Sequence, residues 1–156
     1  MATDDGIRAK LEAWFVSQLT ALTHDGAAVF KTVDHWRHQI GVGGSGTESF
    51  DRFAPFAFVE YIPAGSTQRE GGYDLNNIRR IGVAIGQKSN DAGDARIGNT
   101  NKLGTSEIAD LVEALFEGAH PGEGFDCDNF YYVGEKLSID TDKHHAIELF
   151  FEANDM

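Results

Sequence analysis

The chain has 156 residues, 41% of them apolar and eleven of them phenylalanine, which suits one domain with a sizeable core and argues against disorder throughout. Acidic residues outnumber basic ones by 25 to 13, leaving a formal charge of −12, so a broad face for phosphate backbones or anionic lipid heads is disfavoured. The single cysteine, Cys127, excludes an internal disulfide and any zinc site built on several thiolates.

The opening segment MATDDGIRAKLEAWF begins acidic and turns amphipathic, unlike a signal peptide, and no run nears the roughly 18 apolar residues of a membrane span. The expectation is a soluble protein made in a reducing cytoplasm. Residues 5–22 are predicted as a helix, because Ile7, Leu11, Trp14, Phe15, Leu19 and Leu22 recur at spacings of three and four. Asp4 or Asp5 is a candidate N-cap, and Asp25-Gly26 marks the following turn. A strand is predicted from Ala27 to Trp36, with Val29, Lys31, Val33 and His35 alternating against Phe30, Thr32, Asp34 and Trp36.

Gly41 to Thr47 holds four glycines in seven residues and is predicted as a flexible loop. A phosphate-binding loop needs a following Lys-Ser/Thr and a helix, whereas this one runs into Glu48 and Ser49, which argues against nucleotide binding. Pro55 opens the next strand, where Phe56, Phe58 and Ile62 alternate with Ala57, Val59 and Tyr61. Apolar residues on both faces place this strand inside a sheet, with Glu60 the exception. Pro63-Ala64-Gly65 is expected to end it, and Ser66 to Tyr73 reads as a polar arm. The strand from Leu75 to Gln87 alternates Arg79, Ile81, Val83 and Ile85 with Ile78, Arg80, Gly82, Ala84 and Gly86, and the small residues of the second set leave room for a helix to approach closely.

Lys88 to Leu103 is rich in Asn, Asp and Gly and is predicted as an exposed loop. Thr105 or Ser106 then caps a second helix with Ile108, Leu111, Val112, Leu115 and Phe116 as its apolar stripe, stopped at Gly118. Two closing strands, about 125–139 and 143–153, are joined by Asp140-Thr141-Asp142 as a tight turn. The fold class is therefore α+β: a mixed or antiparallel sheet of about four to five strands, packed by two amphipathic helices, in one domain spanning 1–156.

Three constellations invite a catalytic reading, and none carries one. On a strand His35 and His38 point to opposite faces, so their spacing does not make a metal site. His144-His145-Ala146-Ile147-Glu148 lies in a strand pattern after a hairpin turn, and its order differs from the His-Glu-x-x-His of zinc-protease helices. Asp126, Asp128 and Glu135 surround Cys127 without the glycine and final glutamate of a calcium loop, and acidic neighbours suppress a thiolate. The chain is read as a non-enzyme with no catalytic residue, metal or cofactor.

The order of elements resembles the tail-terminator proteins of tailed bacteriophages, in particular the Mu-like family of contractile tails, which is similar to the lambda-type terminators. The resemblance runs through the first helix, Pro55-Phe56-Ala57-Phe58-Val59, the neighbouring strand Ile78 to Gln87, the helix Ser106 to Phe116, and the closing strands Phe130 to Ile139 and Ala146 to Ala153. The loops 41–47 and 88–101 are longer than the family pattern. The resemblance implies a virion structural protein of the tail or neck, made in the host's cytoplasm, that forms a hexameric ring on the last layer of the tail tube. The ring would stop tube growth and join the tail to a head-side connector or stopper, and in contractile tails it would also meet the sheath. DNA would pass through its acidic lumen without specific binding. Another neck or tail-completion protein is the alternative. Candidate ring or tube contacts are Arg69, Glu70, Tyr73, Arg79, Arg80 and Arg96, since arginine is favoured at interfaces and is scarce in this acidic chain.

Overall fold

Two helices seal one face of a five-stranded sheet, and a third, shorter helix covers part of the other. The computed structural model describes residues 3–40, 46–68, 74–91 and 93–155. In chain order the elements are α1 (Thr3–Ala21), β1 (Thr23–His24), β2 (Ala27–Ala28), β3 (Thr32–His35), α2 (Gly46–Phe53), β4 (Phe56–Gln68) and β5 (Asp74–Lys88). There follow α3 (Asp94–Ile97), β6 (Gly98–Asn99), β7 (Lys102–Leu103), α4 (Thr105–Phe116), β8 (Tyr131–Asp140) and β9 (His144–Asn154). The main sheet has the order β3-β4-β5-β9-β8, antiparallel except for the parallel β3–β4 pair, and β1–β2 and β6–β7 are small hairpins. This is the expected α+β class. No helix among the described residues is long and apolar enough to cross a membrane.

The stripe predicted on α1 does the expected packing: Leu11, Phe15 and Leu19 are buried, with Ile7, Trp14 and Leu22 at the margin. Ile108, Val112 and Phe116 of α4 meet the same face, where Val59, Val83, Ile85, Leu149 and Phe151 point inward. Phe15 stacks on Phe116 with ring centroids 4.1 Å apart, and Phe130 meets Phe15 edge-on at 5.0 Å. Each such ring removed from water contributes about 1.5–3 kcal/mol. Gly118, at φ 74°, ends α4 region as predicted, just after the cap residue Glu117.

Several boundaries differ from expectation, each for a local reason. The helix begins at Thr3, so Asp4 and Asp5 lie within its first turn rather than ahead of it. The predicted strand 27–36 is broken in two. The N–H groups of Lys31 and Thr32 both donate to the Pro55 carbonyl, at 2.7 and 3.3 Å, so pairing with β4 starts only at Thr32 opposite Phe56. Pro63 does not end β4, which continues to Gln68 through register shifts beyond Pro63. Its missing N–H does no harm because Tyr61 and Pro63 share parity, and β3 has already ended opposite Val59. The Tyr61 N–H on that vacated side donates instead to Glu12 Oε2 of α1, at 2.8 Å.

The loop predicted at 88–103 contains α3 and the β6–β7 hairpin, anchored by buried Ala95. The cap of α4 is Gly104, whose N–H donates to Glu107 Oε1 at 3.3 Å. Thr105 is instead buried against His145 of β9, hydroxyl to imidazole Nδ1. Residues 41–45 of the glycine-rich segment lie outside the described residues, but Gly46 and Thr47 belong to α2, an unexpected helix.

That helix explains the small residues of β5. Phe50 and Phe56 pack over Gly86, where an added Cβ would come within 2.3 Å of the Phe56 ring and 3.0 Å of Phe50. Both rings are buried and have nowhere to go. At Gly82 a Cβ would meet the carboxylate of Glu148 and the tip of Ile62, flexible ends that can swing aside. Gly86→Ala is therefore expected to cost about 1–3 kcal/mol in chemical denaturation, and Gly82→Ala distinctly less.

Candidate interaction surface

The second face of the sheet is closed at one end and open at the other. At the closed end Ile40, Phe50, Ala54, Phe56, Phe58 and Ala146 form a small core beneath α2. Beyond it, cross-strand pairing aligns Phe58, Ala84, Glu148 and Lys136 in one row and Glu60, Gly82 and Phe150 in the next. The Glu148 side chain leans over Gly82, which has no Cβ to obstruct it. A cavity of about 300 Å³ lies here, its floor made by Phe56, Phe58 and Ile139 and its rim by Glu60, Glu148 and Lys136. Burial first, and Glu60 second, push the Glu148 carboxyl above its ordinary value of 4.5, while Lys136 at 3.8 Å opposes the shift.

The strand bounding this face is an edge. β8 pairs only with β9, and Tyr131, Val133 and Leu137 on it are 50–57% exposed. An unpaired strand carrying apolar side chains invites contact with another chain. Register shifts between Tyr132 and Gly134 and between Leu137 and Ile139 interrupt its ladder. Such irregularities discourage indiscriminate strand addition and favour a partner shaped to them. Sequence reasoning placed a strand here but not its exposure; the run Tyr131-Tyr132-Val133, apolar on both faces, is the signal that was available.

The predicted arginines are dispersed. Arg79 points into the helix-covered side and donates through Nε to Asp155 Oδ1 at 2.6 Å and through Nη1 to the Tyr61 hydroxyl at 3.2 Å. Burial opposes its charge, but these hydrogen bonds outweigh burial and hold its pKa above the usual value. Arg80 faces the open side and donates through Nε to Glu152 at 2.6 Å. Arg96 is exposed on α3. Arg69, Glu70 and Tyr73 lie outside the described residues.

The histidines do not converge. His35 bonds Glu12 and His144 bonds Asp51, at 2.8 and 2.7 Å. His145 is buried on the opposite face, where desolvation lowers its pKa. Among the described residues no three His, Cys, Asp or Glu side chains are grouped to hold a metal ion. Cys127 is buried, and burial followed by the Asp155 charge pushes its thiol pKa up, the reverse of an activated nucleophile.

No protein-family model and no curated protein matches the chain. Among solved structures it is similar to a chain of the virion of a native gene transfer agent particle, at 15% identity and a TM-score of 0.57, with 96% of each chain covered. The likeness establishes a shared fold along nearly the whole length of both chains.

Because the folded protein holds the Glu148 proton more tightly than the unfolded chain, stability falls as pH rises through 4.5 and up to the raised value. Glu148→Gln removes that liability. Denaturation midpoints should show the variant more stable than the parent at pH 7, with the gain gone below pH 4.5.

Proposed function

We propose that this chain is a structural component of a phage-like particle, and specifically a tail terminator: a hexameric ring that caps the tail tube, stops its growth and joins the tail to the head-side connector. The observation that carries the reading is the full-length likeness to a virion chain of a gene transfer agent, in which neither chain leaves a substantial part unmatched. The element order, which resembles that of tail terminators, points the same way. The work of such a protein is geometric: one surface matches the last layer of the tube, and the other offers no continuing tube interface. The partners are further copies of the chain, the tube protein, the connector or stopper and, in a contractile tail, the sheath.

The exposed edge of β8 is one protein-contact surface in this reading, because it combines apolar side chains with an unpaired strand. The net charge of −12 suits a lumen through which DNA moves without adhering. The alternative is another neck or tail-completion protein of the head–tail joint, and the two roles separate by what fails when the chain is missing.

Electron microscopy of particles assembled without the chain should show overlong tail tubes detached from heads. Tails of normal length that merely fail to join heads would overturn the terminator role in favour of the neck alternative. The double variant Val133→Lys/Leu137→Lys should change folding stability by no more than about 0.5 kcal/mol per site, since both side chains are exposed. It should nonetheless lower the amount of the chain found in purified particles about tenfold or more, and unchanged incorporation would remove the β8 edge from the contact.

A further inference from the structure

Half of the chain's six lysines line one small cleft. Lys88, Lys102 and Lys143 surround a space of about 270 Å³ beside the β8–β9 turn, together with His144, Ser89 and Asp51. The strands bring them there: Lys88 at the end of β5 pairs in register with His144 at the start of β9, and the Ser89 N–H donates to the Lys143 carbonyl at 2.9 Å. Lys88 Nζ donates to the backbone carbonyl of Asp51, and Lys102 Nζ donates to that of Lys88 at 2.9 Å. Lys143 is exposed and makes no ion pair among the described residues. The carboxylate lining the cleft, Asp51, accepts from His144 Nε2 at 2.7 Å. Three ammonium groups thus gather without a carboxylate ion pair in a chain of charge −12.

Asp140 at the end of β8 and Asp142 in the adjoining turn stand exposed without lining the cleft, whose own wall is net positive. The opposite end of β9, by contrast, is acidic. β9 runs eleven residues, roughly 33 Å at the rise of an extended chain. At its far end Asp128 N donates to the Asn154 carbonyl and Cys127 bridges to Asp155. The segment held there presents Glu123, Asp126 and Asp128, all exposed and without an ion pair among the described residues.

We infer that the lysine cleft is the socket for the Glu123–Asp128 segment of a second copy of this chain. The molecule has a positive socket at one end of the β8–β9 hairpin and an acidic plug at the other. Copies therefore join head to tail, the kind of contact that closes into a ring when the rotation per joint permits. Elsewhere two such acidic surfaces repel, so this register is the one that brings opposite charges together and it sets the direction of the joint. A nucleic-acid occupant is disfavoured because the rest of the surface repels phosphates. The inference rests on the ring reading above and names the surfaces that form its joints.

Sedimentation velocity on the full chain tests it by charge exchange. The exposed Lys143 side chain makes no hydrogen bond or ion pair among the described residues, so Lys143→Glu leaves the backbone bond from Ser89 intact and should keep the fold, while weakening self-association about tenfold to a hundredfold. Asp126→Lys/Asp128→Lys should weaken it similarly. The variant combining all three, and an equal mixture of the two defective proteins, should recover association, since each restores opposite charges at the joint. A ring that forms in the parent and is indifferent to Lys143→Glu, or a combined variant no better than its components, overturns the joint and leaves the ring reading standing. A parent that remains monomeric at every concentration overturns both.

Discussion

Stacking of Phe15 on Phe116, with Phe130 and Phe151 against the same pair, is the contact on which the rest of the molecule depends. It ties α1, α4, the segment before β8 and strand β9 into one unit, so elements distant in sequence share a single packed centre. Aromatic pairs of this geometry add about 0.5–1.5 kcal/mol beyond the area they bury. Once β9 is held against the two helices, its neighbours β5 and β8 follow by backbone pairing. The ends of β9 then define where the lysine cleft and the acidic segment lie.

The two faces of the sheet are consequently unequal. One is sealed by α1 and α4 and is mostly core, with its polar groups satisfied locally: Thr105 by His145, Gln87 by the Leu103 carbonyl, Glu12 by His35 and the Tyr61 N–H, and Arg79 by Asp155 and the Tyr61 hydroxyl. The other is covered by α2 only as far as Phe50 and Phe53 reach, leaving Glu60, Glu148 and Lys136 on half-open ground. The groups left over from packing are therefore a charged row, an apolar edge strand and two oppositely charged ends. Such features suit contact with other chains better than chemistry on a small molecule, and assembly into a particle is the use proposed for them.

Much of the architecture was legible in the sequence because it rests on periodicity. Leu11, Phe15 and Leu19 recur at helical spacing, and Phe56-Ala57-Phe58-Val59 is apolar on both faces, so the first helix and an interior strand could be placed directly. The rest depends on partners far along the chain. Pro63 looked like a terminus because the sequence does not reveal that β3 stops opposite Val59 and leaves that side of β4 vacant. The short helix α2 spans only eight residues, so its apolar pair Phe50 and Phe53 makes a single i, i+3 step with no second turn to repeat it, and Phe50 seats over Gly86. The candidate surface was the least legible part. Charge clusters such as Lys88, Lys102 and Lys143 lie up to 55 residues apart and meet only through strand register.

The central claim is that copies of this chain close into a ring, and native mass spectrometry of the purified protein across a concentration series addresses it most directly. The account predicts a discrete species at six times the 17.0 kDa chain mass, growing with concentration at the expense of the monomer. A monomer throughout, or an open-ended ladder of oligomers with no preferred size, would contradict it.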